Sequence, residues 1–104
     1  MMTQKINVSS LPEFDLSEQL RTDDDIAEYL TMVLEEGDTD ELIRAIGYIA
    51  KARGMSQIAQ QTGLGRESLY KSFRAGAKPQ AETIFKVLKA INIDLRAVSH
   101  GSIA

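Results

Sequence analysis

Three observations predict an all-α domain of five helices for this 104-residue chain. Apolar residues recur at three- and four-residue spacing through several segments, most opened by a Ser, Thr or Asp cap and closed by Gly or Asn. Residues 55–74, MSQIAQQTGLGRESLYKSFR, have the pattern of two short helices crossing through a tight turn, a helix-turn-helix. The connections between these segments are short, as in a compact helical domain.

The elements follow in order. Residues 1–12 have weak periodicity and end in Leu11-Pro12, which suits a flexible arm or an edge strand. Asp15 with Glu18 fits a capping box opening a short turn of helix. Thr22 caps a stronger helix over 23–36, with Asp23, Asp24 and Asp25 in its first turn, where the helix dipole favours anions. Ile26, Leu30, Val33 and Leu34 form its apolar face, and Gly37 stops it. Asp38 with Glu41 starts a helix over 39–53 that Gly54 ends; Leu42, Ile43, Ile46, Ile49 and Ala50 are its buried stripe.

Ser56 is the expected cap of the next helix. Ala59 is the small residue where two helices cross, and Gly63 supplies the positive φ of a sharp helix exit. Ile58, Leu64 and Leu69 are the apolar anchors. A recognition helix runs from Gly65 to Arg74 and is closed by Gly76. Pro79 precedes a last helix over 80–91 that buries Ile84, Val87, Leu88 and Ile91, with Asn92 as a left-handed cap. Ile93, Leu95 and Ala97 alternate with Asp94 and Arg96, which predicts a short C-terminal strand pairing with residues 5–8 or with a second copy. Phe73 and Phe85 are assigned to the core, and the lone His100 to the surface.

A core of this size needs no disulfide or metal. With no Cys there is no thiolate zinc site and no cysteine nucleophile. No apolar run approaches the roughly 20 residues of a membrane span, and MMTQKINVSS lacks a signal peptide's apolar region. A soluble cytoplasmic protein without cofactor or metal is expected, and no nucleophile–base pair or phosphate loop suggests an enzyme.

The net charge of −3 hides a division. Residues 1–41 hold 12 acids against Lys5 and Arg21, and residues 42–104 hold 10 bases against Glu67, Glu82 and Asp94, giving −10 and +7. A basic half is the footprint of a polyanion binder. The acidic half turns away from DNA and suits a basic partner, with the aspartate triplet as removable surface charge.

The DNA-binding residues follow from position. Arg66 and Lys71 suit guanine O6 and N7, Ser68 a base or phosphate, and Tyr70 a thymine methyl or phosphate. Glu67 suits cytosine N4 or an ion pair with Lys71 one turn on, the second being favoured. Arg74 and Lys78 are expected phosphate clamps, and Ser56 and Gln57 complete the set at the start of the first helix. Arg53 suits either a phosphate or the negative end of its own helix.

The helix order around this unit resembles a lambda-repressor/Cro-type DNA-binding domain, with residues 1–37 an acidic N-terminal helical extension, 38–98 the helix-turn-helix domain and 99–104 a tail. FD-x-x-E-x-L at 14–20, DIAEYL at 25–30, LEEGD at 34–38, IAKARGMSQIAQQTGLGRESLYKSF at 49–73 and IFKVLKAI at 84–91 are similar to HigA-like antitoxins, the addiction-module antidote proteins. The resemblance implies a homodimeric repressor of its own operon that binds double-stranded operator DNA. It also implies a basic toxin partner, similar to RelE/HigB ribonucleases, encoded by the adjacent gene. Three departures from the pattern are Met55 where a Gln is usual, Gly65 where a Ser or Thr cap is usual, and SFRAGAKPQ at 72–80 in place of a GNP-type turn. The alternatives are a stand-alone or phage-type transcriptional regulator without a toxin and a protein-interaction module that has lost DNA binding.

Overall fold

The computed structural model describes residues 20–99. Five helices follow one another: α1 (Asp23–Glu36), α2 (Thr39–Arg53), α3 (Met55–Thr62), α4 (Arg66–Ser72) and α5 (Ala81–Ala90). The N-terminal arm, the Asp15–Glu18 turn and His100 lie outside the described residues.

The two long helices are bounded as their sequences predict. The Thr22 hydroxyl accepts from Asp25 N at 3.0 Å while Thr22 N donates back to the Asp25 carboxylate at 3.2 Å, a complete capping box. Gly37 leaves α1 at φ 79°, donating to the carbonyls of Val33 and Leu34. Asp38 then accepts from Glu41 N to open α2. The chain passes from α2 into α3 through one residue, Gly54, at φ 109° and ψ 106°. Ser56 is therefore not a cap: it lies inside α3, which starts at Met55 without a side-chain cap.

α5 also ends as expected, with Asn92 at φ 66°. Asn92 N donates to Lys89 O and Ile93 N to Leu88 O, the paired bonds of a Schellman termination. The predicted strand after it does not form; among the described residues there is no strand at all, and 93–99 are irregular. Ile93 is drawn back onto α5 by its bond to Leu88 and packs beside the core. No described neighbour offers residues 95–97 a ladder, without which alternation alone does not make a strand.

α1 and α2 pack against each other, α3 packs against α2 and α4, and α5 closes the core on α2 and α3. The core joins Ile26, Tyr29, Leu30 and Val33 of α1 to Ile43, Ile46 and Ile49 of α2, Ile58 of α3, Leu69 of α4 and Val87, Leu88 and Ile91 at α5. Leu42 and Ile84 are half-buried at its edge. Two expectations fail here. Leu34 is 48% exposed, because Tyr29 takes the place on the inward face of α1. Phe85 is 58% exposed: α5 turns Val87 and Leu88 inward and leaves Phe85 on the outer margin of its apolar stripe. Burial pushes the Tyr29 phenol well above its ordinary pKa, with the nearby Glu41 charge adding to the effect, and its hydroxyl has no hydrogen-bond partner among the described residues.

Candidate nucleic-acid interface

The α3–α4 unit is built around its turn. Gly63 takes φ 75° and donates to Ala59 O at 2.9 Å, ending α3 where a side chain would be strained. The Thr62 hydroxyl bonds back to Ile58 O at 2.8 Å and accepts from Leu64 N at 3.2 Å, tying both sides of the turn. This brace escaped the sequence reading, although a Thr before a turn glycine is a residue type that makes such bonds. Gly65, extended at φ −71° and ψ 145°, precedes α4. As the cap it leaves the first amides of α4 without a side-chain acceptor.

α4 has only seven residues, too short to hold a helical shape by itself. Packing holds it. Leu69 is 1% exposed, and Phe73, the residue that ends the helix, is buried against α2. At the contact stands Gly47: a β-carbon there would lie 2.7 Å from Phe73 Cβ and 3.1 Å from its carbonyl oxygen. A glycine in mid-helix costs roughly 1 kcal/mol against alanine, and here the missing side chain is what lets the end of α4 seat on α2. The sequence carries a signal for it, a lone Gly in the middle of an apolar stripe.

With Leu69 and Phe73 facing inward, Arg66, Glu67, Ser68, Tyr70 and Lys71 are left exposed. The Arg66 guanidinium lies 5.9 Å from the centre of the Tyr70 ring one turn on, a cation–π pair that holds two predicted DNA-contacting residues together. The expected Glu67–Lys71 ion pair does not form. An exposed pair of that spacing is worth only about 0.3–0.5 kcal/mol, little against the freedom of two long side chains. Helix α4 ends at Ser72, earlier than expected; Arg74 lies exposed beyond it, and Gly76 belongs to the following loop at φ 80°. Lys78, in the same loop, lies 3.7 Å from the Asp40 carboxylate with both side chains mostly in solvent. Ser56 and Gln57 are exposed on α3, while Met55 is 5% exposed and part of the core. Over residues 55–80 this surface carries Arg66, Lys71, Arg74 and Lys78 against the single acid Glu67.

Arg53 belongs elsewhere. It pairs with Asp23 at the start of α1, and Asn92 Nδ2 donates to the other oxygen of that carboxylate at 3.4 Å. Asp23 thus joins the ends of α1, α2 and α5. The hydrogen bond from Arg53, with its charge and the Asn92 bond adding, holds the carboxyl below the usual aspartate range. With Asp25 in the capping box, two of the three aspartates read as removable charge hold the helix start in place. No group of three His, Cys, Asp or Glu able to hold a metal is found among the described residues, and no described helix is long and apolar enough to cross a membrane.

Comparison with known proteins supplies what the geometry does not. A family model described as "Probable addiction module antidote protein" matches residues 10–99. An uncharacterized protein of Haemophilus influenzae is 40% identical over 86 residues, covering 83% of this chain and 89% of that protein. No solved structure matches significantly. The chain belongs to the addiction module antidote family, and membership implies a toxin partner.

Proposed function

We propose that this antidote protein is a dimeric, sequence-specific repressor of its own operon that also neutralises a basic toxin of the RelE/HigB type. The observation that carries the DNA-binding half is α4. It is a short helix held by Leu69 and Phe73, with its outward face given over to Arg66, Glu67, Ser68, Tyr70 and Lys71.

In this reading α4 enters the major groove. Arg66 and Lys71 donate to guanine O6 and N7, Tyr70 packs on a thymine methyl while steadying Arg66, and Ser68 reaches a base or phosphate. Glu67, free of Lys71, accepts from cytosine N4. Arg74 and Lys78 clamp phosphates, with Ser56 and Gln57 at the start of α3 doing the same. The Lys78–Asp40 pair is no obstacle, since an exposed pair at 3.7 Å is easily exchanged for a phosphate. One such helix reads too few base pairs, so a two-fold dimer sets two of them about 34–36 Å apart.

The toxin half rests on the family and on α1, which carries six acids and no base. Attraction between that helix and a basic toxin raises the rate of encounter. Its exposed acids Asp24 and Glu28 are the ones to reverse in a test, because Asp23 and Asp25 are tied up in structure. The DNA-binding reading is checked by titrating the protein into the DNA upstream of its own gene at several salt concentrations. Saturable binding to an inverted repeat, falling linearly in log–log form with salt, is expected. Equal affinity for that DNA and for random duplex would refute it.

A further inference from the structure

Across the molecule's outer side, Leu34 of α1, Leu42 of α2, Ala81, Phe85 and Leu88 of α5 and Leu95 of the irregular segment after α5 line an open groove with a cavity of about 160 Å³ and no polar lining. Phe85, Leu34 and Leu95 are 58%, 48% and 49% exposed, an apolar surface of the kind that marks an interaction site. No residue of α3 or α4 takes part. We infer that this groove is the homodimer interface, the Phe85 of each copy entering the groove of the other; the inference rests on the dimeric reading above and assigns the surface that makes the dimer.

The charges beside the groove choose the occupant. On the α1 wall Glu35 and Glu36 follow Leu34 directly, and the helix holds no base. The opposite wall, residues 81–99, holds Lys86, Lys89 and Arg96 against Glu82 and Asp94, and Lys86 is already paired with Glu82 at 3.3 Å. The two walls therefore carry opposite sign. A two-fold axis running along the groove sets the acidic wall of each copy against the basic wall of the other, so the surface is complementary to itself. A uniformly basic partner would meet Lys89 and Arg96 with repulsion. The arrangement also leaves both α4 helices uncovered, as a dimer reading two half-sites requires.

The test is sedimentation of the full chain in the micromolar range, native against Phe85→Glu, with circular dichroism to confirm the fold. Phe85 is mostly in solvent, so the substitution leaves the core alone, and Leu95→Glu serves as an independent second variant. Each should raise the dimer Kd at least about 30-fold at unchanged helicity. Lys89→Glu should weaken the dimer, and adding Glu35→Lys should recover part of the loss. Folded Phe85→Glu and Leu95→Glu proteins as dimeric as the native chain would overturn the assignment while leaving a dimeric repressor intact. So would variants that stay dimeric yet no longer co-purify with the product of the adjacent gene. A native chain that is monomeric both free and on DNA would remove the dimeric reading and the interface together. Loss of the dimer in Phe85→Glu, with no operator preference in the native chain, would keep the interface and refute the repressor.

Discussion

Helices α1 and α4 are made stable in opposite ways. α1 has 14 residues, a complete capping box at Thr22 and a left-handed glycine at its end, so its limits are set by bonds within its own stretch of chain. α4 has seven residues, no side-chain cap and a non-glycine end. Its existence depends on Leu69 and Phe73 reaching partners elsewhere, above all the bare backbone at Gly47. The helix assigned to reading DNA is therefore the one whose position is set by the rest of the fold. Its outward face is spared any structural duty, and its direction is inherited from α2.

That contrast can be broken at several places. Phe73→Ala should have the largest effect, a loss of about 3–5 kcal/mol in urea unfolding, since it removes a buried aromatic side chain. Gly47→Ala comes next and is the more telling. Helix propensity alone would stabilise it by about 1 kcal/mol, while overpacking against Phe73 costs about 1–3 kcal/mol. We expect a net loss, because the atoms in the way are the Cβ and carbonyl of Phe73, which cannot swing aside. Net stabilisation with normal operator affinity would show that α4 does not depend on this contact. Thr22→Ala should cost about 1 kcal/mol through the cap, with operator binding unchanged at temperatures where the protein is folded.

The smallest effect is the most specific in pH. Asp23 has its folded-state pKa lowered by Arg53, so its contribution is present above the ordinary aspartate pKa of 3.8 and is lost as pH falls through the lowered value. The stability difference between native protein and Asp23→Ala should be visible by denaturation at pH 7 and shrink below pH 3.8. A difference that persists unchanged at low pH would mean that Asp23 acts by something other than its charge.

The same contrast explains what could be read from the sequence. Caps and helix-stopping glycines are local chemistry, so the limits of α1 and α2 and the left-handed Asn92 were legible. So was the inward turn of Leu69, Ile58 and Phe73 around Gly63. What failed was settled at a distance. Ser56 lost its capping place because Gly54 alone turns the chain between two helices. α4 stopped early because Phe73 is pulled into contact with α2. Leu34 and Phe85 fit the helical period but lie where the fold leaves a groove, and periodicity does not tell a core from an interface between molecules. Arg53 stands in the last turn of α2, as the helix-end reading has it, but its partner Asp23 lies 30 residues away and local spacing does not reveal it. The outward residues of α4 were named from order along the chain, and the Arg66–Tyr70 contact is a property of that face which spacing permits without requiring.

In the proposed complex α4 reads bases while the residues beyond it hold phosphates. The most direct measurement is the ratio of operator to random-duplex affinity for Arg66→Ala, Lys71→Ala, Arg74→Ala and Lys78→Ala at one fixed salt concentration. Arg66→Ala and Lys71→Ala should lower that ratio, each by about 1–3 kcal/mol of discrimination. Arg74→Ala and Lys78→Ala should weaken both affinities together and reduce the salt slope by about one. Equal ratios in all four variants would place the reading surface somewhere other than α4.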